Sequence, residues 1–422
     1  MLYKQKENPV LTKELFQNPG CEYRGTPFWA WNCRVTEEDT DRILEDLKSM
    51  GMGGSHLHSR TGMDIPYLSD AFMKQIRYAN QKAKELGMLT WLYDEDRFPS
   101  GAAGGLVTKE RALRQKYLVF SPEPLEENRD RCLLARYEVT LEQGCLKEYR
   151  MLEEGTSERR RAENGRIWYL YREIAGDNPW FNNQAYVDTL NPKAIDRFLE
   201  ITHEAYFRAL GEEFGKSVPA IFTDEPQFSS KNTLGFAGEE TRMTLPWTDD
   251  FALTYREAYG TDFFAGFPEC VWELPNGKAS AARYRYHDHL CDRFVRAFAD
   301  RIGAWCRAHG ILLTGHLMQE PTLESQTGSV GEAMRSYRSF DIPGIDMLYD
   351  SRELNTAKQA QSAVRQYGRE GMLSELYGVT GWEFDFRGHK LAGDWQAALG
   401  VTVRVHHLTW TSMAGEAKRD YP

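Results

Sequence analysis

The chain has 422 residues, 41% hydrophobic and 27% charged, which excludes disorder and fibrous architecture and allows one large core or two ordinary ones. Its 52 basic and 62 acidic residues leave a net charge of −10 with no long basic run, so a phosphate-backbone footprint is missing and no nucleic-acid partner is expected. No window approaches roughly 18 consecutive apolar residues, and Met1 to Val10 lacks the apolar core of a signal peptide, so no membrane partner and a cytoplasmic location are expected.

Seven scattered cysteines with no C-x-x-C pair argue against a disulfide framework or a zinc ribbon. Aromatics reach 13%, with 11 Trp and 21 Tyr, a level that suits either stacking surfaces for sugar rings or a large aromatic core.

In chain order, short β-type runs alternate with amphipathic helical stretches, the pattern of a parallel sheet flanked by helices. Strand one is Gly25 to Asn32, followed by a helix opened by Thr36 and stopped at Gly51. Strand two is Gly53 to Arg60, with a helix from Asp70 to Leu86, and strand three is Met88 to Asp94. From Lys116 to Val187 the pattern changes to β-like runs between charged stretches such as Glu158 to Glu163, which predicts an inserted β-rich subdomain with a solvated loop. A helix then starts at Asn191-Pro192, a side-chain cap and a proline suited to the first turn, and runs to Phe214 before strand four, Val218 to Asp224.

After a polar loop and a helical stretch at Asp249 to Tyr259, a long helix covers Ala281 to His309. Strand five is Ile311 to Leu317, strand six Gly344 to Tyr349, strand seven Gly371 to Leu376 and strand eight Thr402 to Leu408. Helices at Thr356 to Tyr367 and Asp394 to Leu399 fall between the last three. Eight such units predict an α/β fold, a (β/α)8 TIM barrel over residues 1–422 with residues 116–187 inserted after strand three. An open doubly wound sheet is the alternative, but strand one leads into no Gly-rich phosphate loop.

Active sites of such barrels form at the C-terminal ends of the strands. Strand four ends in Thr223-Asp224-Glu225-Pro226 and strand seven in Ser374-Glu375-Leu376-Tyr377, so each places a glutamate at that face. Cleaving a glycosidic bond needs two carboxyl groups, one protonated and one ionised, which makes Glu225 and Glu375 the catalytic candidates. Strand six offers Asp346 and Asp350, with Asp350 nearer the mouth and the better third candidate.

Strand three runs into Asp94, Glu95 and Asp96, three acids that could bind sugar hydroxyls, pair with Arg60 or Arg97, or hold a hard cation. His56 and His58 share one face of strand two, and His316, His406 and His407 also lie on strands. Sugar-binding or packed histidines are the expectation, with a metallohydrolase as an alternative. Trp31 and Trp382 are expected to stack on a pyranose, Tyr377 to line the site, and Trp91 to belong to the core.

At these residues the chain resembles a known family. PFWAWN at Pro27 to Asn32, MGMGG at Met50 to Gly54, WLYDEDRFPSGAAGG at Trp91 to Gly105, TDEP at Thr223 to Pro226, SELYG at Ser374 to Gly378 and GVTVRVHHLTW at Gly400 to Trp410 look like the catalytic barrel of glycoside hydrolase family 106, the α-L-rhamnosidases. The resemblance implies an inverting hydrolase of a carbohydrate substrate, with Glu225 as acid, Glu375 as base and Asp350 as the lesser candidate for base. It also implies a Ca2+ ion near the sugar, for which Asp94 to Asp96 or the strand-two histidines are the guesses. The family's enzymes carry β-sandwich domains after the barrel, whereas this sequence stops at Pro422 and is expected to be a lone barrel or a fragment. The two glutamates also resemble the retaining β-galactosidase clan, and a sugar-binding barrel without catalysis is the second class of function.

Overall fold

The computed structural model describes residues 2, 10–153, 165–228, 231–349 and 352–418. The charged run at 158–163 and Asp350 lie outside the described residues. In chain order the strands are β1 (Phe28–Trp31), β2 (Gly54–Ser59), β3 (Leu89–Tyr93), β4 (Lys116–Ser121), β5 (Arg131–Glu142), β6 (Cys145–Met151) and β7 (Arg166–Ile174). They continue as β8 (Ala220–Thr223), β9 (Met243–Trp247), β10 (Leu312–Gly315), β11 (Ile342–Asp346), β12 (Leu373–Leu376), β13 (Val403–His406) and β14 (Thr409–Trp410).

The larger sheet is parallel throughout, in the order β1, β2, β3, β8, β10, β11, β12, β13, and β14 returns to pair with β1. Its eighth strand is therefore made in two pieces: β13 pairs with β12, and β14 places Thr409 beside Trp29. The Thr26 N–H also donates to the Arg404 carbonyl at 2.9 Å, so the barrel is closed. Helices Glu37–Ser49, Asp70–Glu85, Leu354–Gln366 and Phe386–Ala398 join successive strands, and Thr36 caps the first through a full capping box. The fold class read from the sequence is the one observed.

Side chains alternate along each strand, so two cores result. Phe28, Trp91, Tyr93, Phe222, Leu373, Val403 and Val405 pack inside the barrel. Trp29, Trp31, Leu57, Leu92, Ile221, Leu313 and Ile345 face the helices and join the larger core with Leu44, Phe72 and Ile302. Both faces of β1, β2, β8 and β12 are buried, which is why β1 and β8 read as nearly continuous apolar runs, whereas β13 leaves Arg404 exposed on its outer face.

The second sheet is antiparallel, in the order β6, β5, β7, β4, β9. Its edge strand β9 comes from the segment after β8 that the sequence reading treated as a polar loop. It is only five residues long and contains Pro246, which is tolerated at an edge and masks the strand pattern.

Candidate active site

The alternation that builds the barrel also builds the site. On β8, Ala220 and Phe222 point inward, so Asp224 follows them into the mouth of the barrel. Glu225 would then face away, but its φ of 46° lies in the left-handed region and brings both acids to one cavity. A non-glycine residue there costs on the order of 1–3 kcal/mol, and such strain concentrates at functional sites.

On the neighbouring strand, Gly315 has a φ of 123°, and a Cβ there would meet the Thr223 carbonyl oxygen at 1.9 Å. Only glycine allows that approach, which delivers His316 beside Asp224. Asp346, the last residue of β11, and Glu375, the last but one of β12, are register partners, side by side on the inner face. Inward residues Val403 and Val405 are followed by His407, and inward His56 and His58 by Arg60. Asp224, Glu225, His316, Asp346, Glu375 and His407 line a cavity of about 160 Å³, with Arg60, Phe98, Leu348 and Val379 completing its wall.

His316 is the centre of charge. Its Nε2 lies 3.0 Å from Asp224 Oδ1 and 4.0 Å from Asp346 Oδ2, and its Nδ1 lies 3.8 Å from Glu375 Oε2. Burial alone would lower its pKa, but Asp346, Asp224 and Glu375 hold the imidazolium well above the usual range. Burial likewise works to raise Asp224, yet His316 and the Tyr93 hydroxyl, which donates to Asp224 Oδ2 at 2.6 Å, keep it ionised and below its usual value.

The remaining acids are pushed the other way. Burial, then the Asp224 charge, raises Glu225 to about 8, so it is protonated at neutral pH. Burial raises Asp346 to about 6 against the pull of His316. Glu375 is held well above the usual range by burial and then by Asp346. Two adjacent carboxyls that cannot both ionise share one proton and titrate as a pair.

The strand-two histidines form the floor. His56 stacks on Trp91 at 5.0 Å, and its Nδ1 lies 3.0 Å from the Thr26 carbonyl, at the end of the barrel away from the mouth. His58 stacks on Tyr93 at 4.0 Å, directly beneath the cavity. Burial lowers both to about 3, so both stay neutral.

Several expected contacts lie elsewhere. Trp31 is fully buried on the helix side of β1, with its ring 5.5 Å from that of Phe72, because residues 29 and 31 take the outward positions. Tyr377 and His406 also face outward: their rings lie 5.2 Å apart, beside His389 at the helix Phe386–Ala398. It is His407, one position on, that enters the cavity. Trp382 is 75% exposed, with the Lys418 ammonium 5.7 Å above its ring, and does not line the cavity.

Of the three acids after β3, Asp94 accepts from the Ser100 hydroxyl at 2.5 Å, on the outward side of the strand. Glu95 accepts from five backbone N–H groups, those of Asp96, Gly101, Ala102, Ala103 and Gly104, at 2.5–2.9 Å. Its carboxylate is taken up in holding the loop and does not line the cavity. Asp96 accepts from Asn182 Nδ2 at 3.1 Å and borders a second, larger pocket.

Calcium prefers six to eight oxygen ligands. With Asp94 bonded to Ser100, Glu95 wrapped in backbone and Asp96 bonded to Asn182, the residues at 94–96 do not fit that ion, nor does the hydrogen-bonded His56. Among the described residues, the groups close enough to hold a metal are Asp224, His316 and Glu375, or Glu225, His316 and Asp346, each with ligand atoms within 4.8 Å of one another. A mixed nitrogen and oxygen set suits a transition ion better than calcium, and it would require His316 to give up its proton.

Taken together, a closed (β/α)8 barrel carries a cluster of four carboxyls around one histidine at its strand ends. No family model matches the chain, and neither does any curated protein sequence. Among solved structures, it is similar to a rhamnosidase from Novosphingobium sp. PP1Y, with a TM-score of 0.66 at 13% identity over 96% of this chain and 56% of that one. A β-galactosidase from Halorubrum lacusprofundi superposes at a TM-score of 0.48 with 13% identity, over 91% of this chain and 52% of that one. An endo-1,4-β-mannanase from Rhizomucor miehei superposes at 0.45 with 8% identity, over 92% of this chain and 86% of that one. The chain thus spans about half the length of the rhamnosidase whose barrel it shares. Among the described residues, no helix is long and apolar enough to cross a membrane.

Proposed function

We propose that this chain is a glycoside hydrolase that removes a terminal α-L-rhamnosyl residue with inversion. The observation that carries the reading is one cavity in which Glu225 is kept protonated while the neighbouring Asp346 and Glu375 together carry a negative charge. Glu225 gives its proton to the leaving oxygen as the glycosidic bond breaks. The Asp346–Glu375 pair takes a proton from the water whose oxygen bonds to the anomeric carbon on the opposite face.

Asp224 is tied to His316 and Tyr93 and does not react; it holds the imidazolium that balances the crowded acids. Positive charge developing on the sugar ring in the transition state meets this acid-rich wall, an arrangement set before the substrate arrives. Strands β8 and β12 stand three apart around the barrel, so Glu225 and Glu375 approach a bound sugar from different sides. The shared barrel of the rhamnosidase and the motif runs support α-L-rhamnose as the sugar.

Hydrolysis of a panel of aryl and alkyl glycosides, α-L-rhamnoside and β-D-galactoside included, tests the reading. The expected result is cleavage of the rhamnoside with release of the inverted anomer, seen by proton NMR, and its loss in Glu225→Gln. One observation favours a retaining reading: carboxyl oxygens of Glu225 and Asp346 lie within 4.8 Å, closer than the about 6.5–9.5 Å of an inverting pair. Release of the retained anomer would select it.

A further inference from the structure

The catalytic cavity is small, about 160 Å³, whereas pockets that engulf a ligand hold roughly 300–1,000 Å³. A pocket of about 550 Å³ adjoins it, and Arg60 lines both. Three cations, Arg60, Arg97 and Lys109, line this second pocket against one acid, Asp96, which Arg97 already meets at 3.4 Å. A local positive excess stands out on a chain with a net charge of −10. Lys109 has no ion-pair partner among the described residues. Asn182 and Gln184 supply amides on the same wall, and Met63, Ile65 and Leu106 supply apolar surface against which a sugar face can lie.

The wall is rigid before anything binds. Glu95 accepts from the Gly104 N–H, and the Lys109 N–H donates to the Gly105 carbonyl, so the loop carrying Lys109 is anchored through the buried carboxylate.

We propose that this pocket is a subsite for the sugar on the leaving-group side of the scissile bond, and that it selects an acidic sugar, a uronate whose carboxylate meets Lys109 and Arg97. The proposal rests on the glycosidase reading for the position of the scissile bond, and it adds the substrate class.

The test is calorimetric titration of Glu225→Gln with a rhamnosyl-uronate disaccharide and with its methyl ester. The acid should bind about tenfold more tightly than the ester, the effect of a charge-assisted contact. Lys109→Met, and separately Arg97→Gln, should each erase most of that preference. Equal affinity for acid and ester, or a preference that survives both substitutions, would overturn the proposal. Binding to the silent variant is read without turnover, so failure of the wild type to cleave any glycoside would refute the catalytic reading alone. In the wild type, Lys109→Met should lower hydrolysis of the uronate disaccharide about tenfold relative to hydrolysis of its methyl ester.

Discussion

Two groups of buried acids in this protein share carboxyls raised by burial, Glu95 to about 7 among them, and differ in the partners they are given. Glu95 sits in a cradle of five backbone N–H groups, every lone pair directed at a donor, and its side chain organises the loop from Asp96 to Gly104. Asp346, Glu375 and Glu225 crowd around a single imidazolium, with burial and mutual repulsion pushing their protons back on. A satisfied carboxylate stabilises the fold; a crowded one stores free energy that chemistry can use. Burial and a raised carboxyl do not separate the two groups; the accounting of hydrogen-bond partners does.

Substitutions can sharpen that contrast or break it. The largest effect is expected at Glu225→Gln: a loss of about 10²–10⁴ in kcat on an alkyl rhamnoside, with stability to urea unchanged or improved because a buried acid crowded by Asp224 is removed. Glu95→Ala should do the reverse, costing about 3 kcal/mol or more in urea unfolding by orphaning five donors, and it should lower activity only as the loop loosens. Trp31→Ala, read from the sequence as a sugar platform, should cost about 3–5 kcal/mol of stability and leave KM for the sugar unchanged in the folded fraction. Asp346→Asn and Glu375→Gln should each lower kcat, measured side by side, because the pair acts as one base. The smallest effect distinguishes two neighbours: His407→Ala should lower kcat/KM for the rhamnoside while His406→Ala leaves it unchanged, since only His407 reaches the cavity.

The barrel was legible because its strands and helices are regular: eight apolar runs, the Thr36 cap and the Asn191-Pro192 start all stand in the sequence as they do in the fold. Glu225 and Glu375 were singled out by their position at strand ends and His316 only as one of several histidines on strands, and the structure brings the three to one cavity. What misled the reading was the two-residue alternation of the strands. Trp31, Tyr377 and His406 are near the mouth in sequence but occupy outward positions, while Asp346 and His407 occupy inward ones. Counting in twos from the interior residues Val403 and Val405 would have selected His407 over His406. The same count fails at Glu225, whose left-handed backbone reverses its face, and nothing in Thr223-Asp224-Glu225-Pro226 announces that turn. Glu95 was hidden for another reason: its partners are backbone groups, which carry no sequence signal.

The central claim is that Glu225 is a protonated acid at neutral pH and the Asp346–Glu375 pair an ionised base. A carboxyl raised to about 8 donates below that pH and fails above it, and a pair whose first member titrates near about 6 loses its charge below that pH. The most direct measurement is the pH dependence of kcat/KM for an alkyl and an aryl α-L-rhamnoside, in wild type and in Glu225→Gln. The account predicts a bell between about pH 6 and pH 8 in the wild type. In Glu225→Gln the basic limb should vanish, and the loss should be far greater for the alkyl substrate, whose poor leaving group needs the proton. A basic limb that persists in the variant, with equal loss on both substrates, would contradict it.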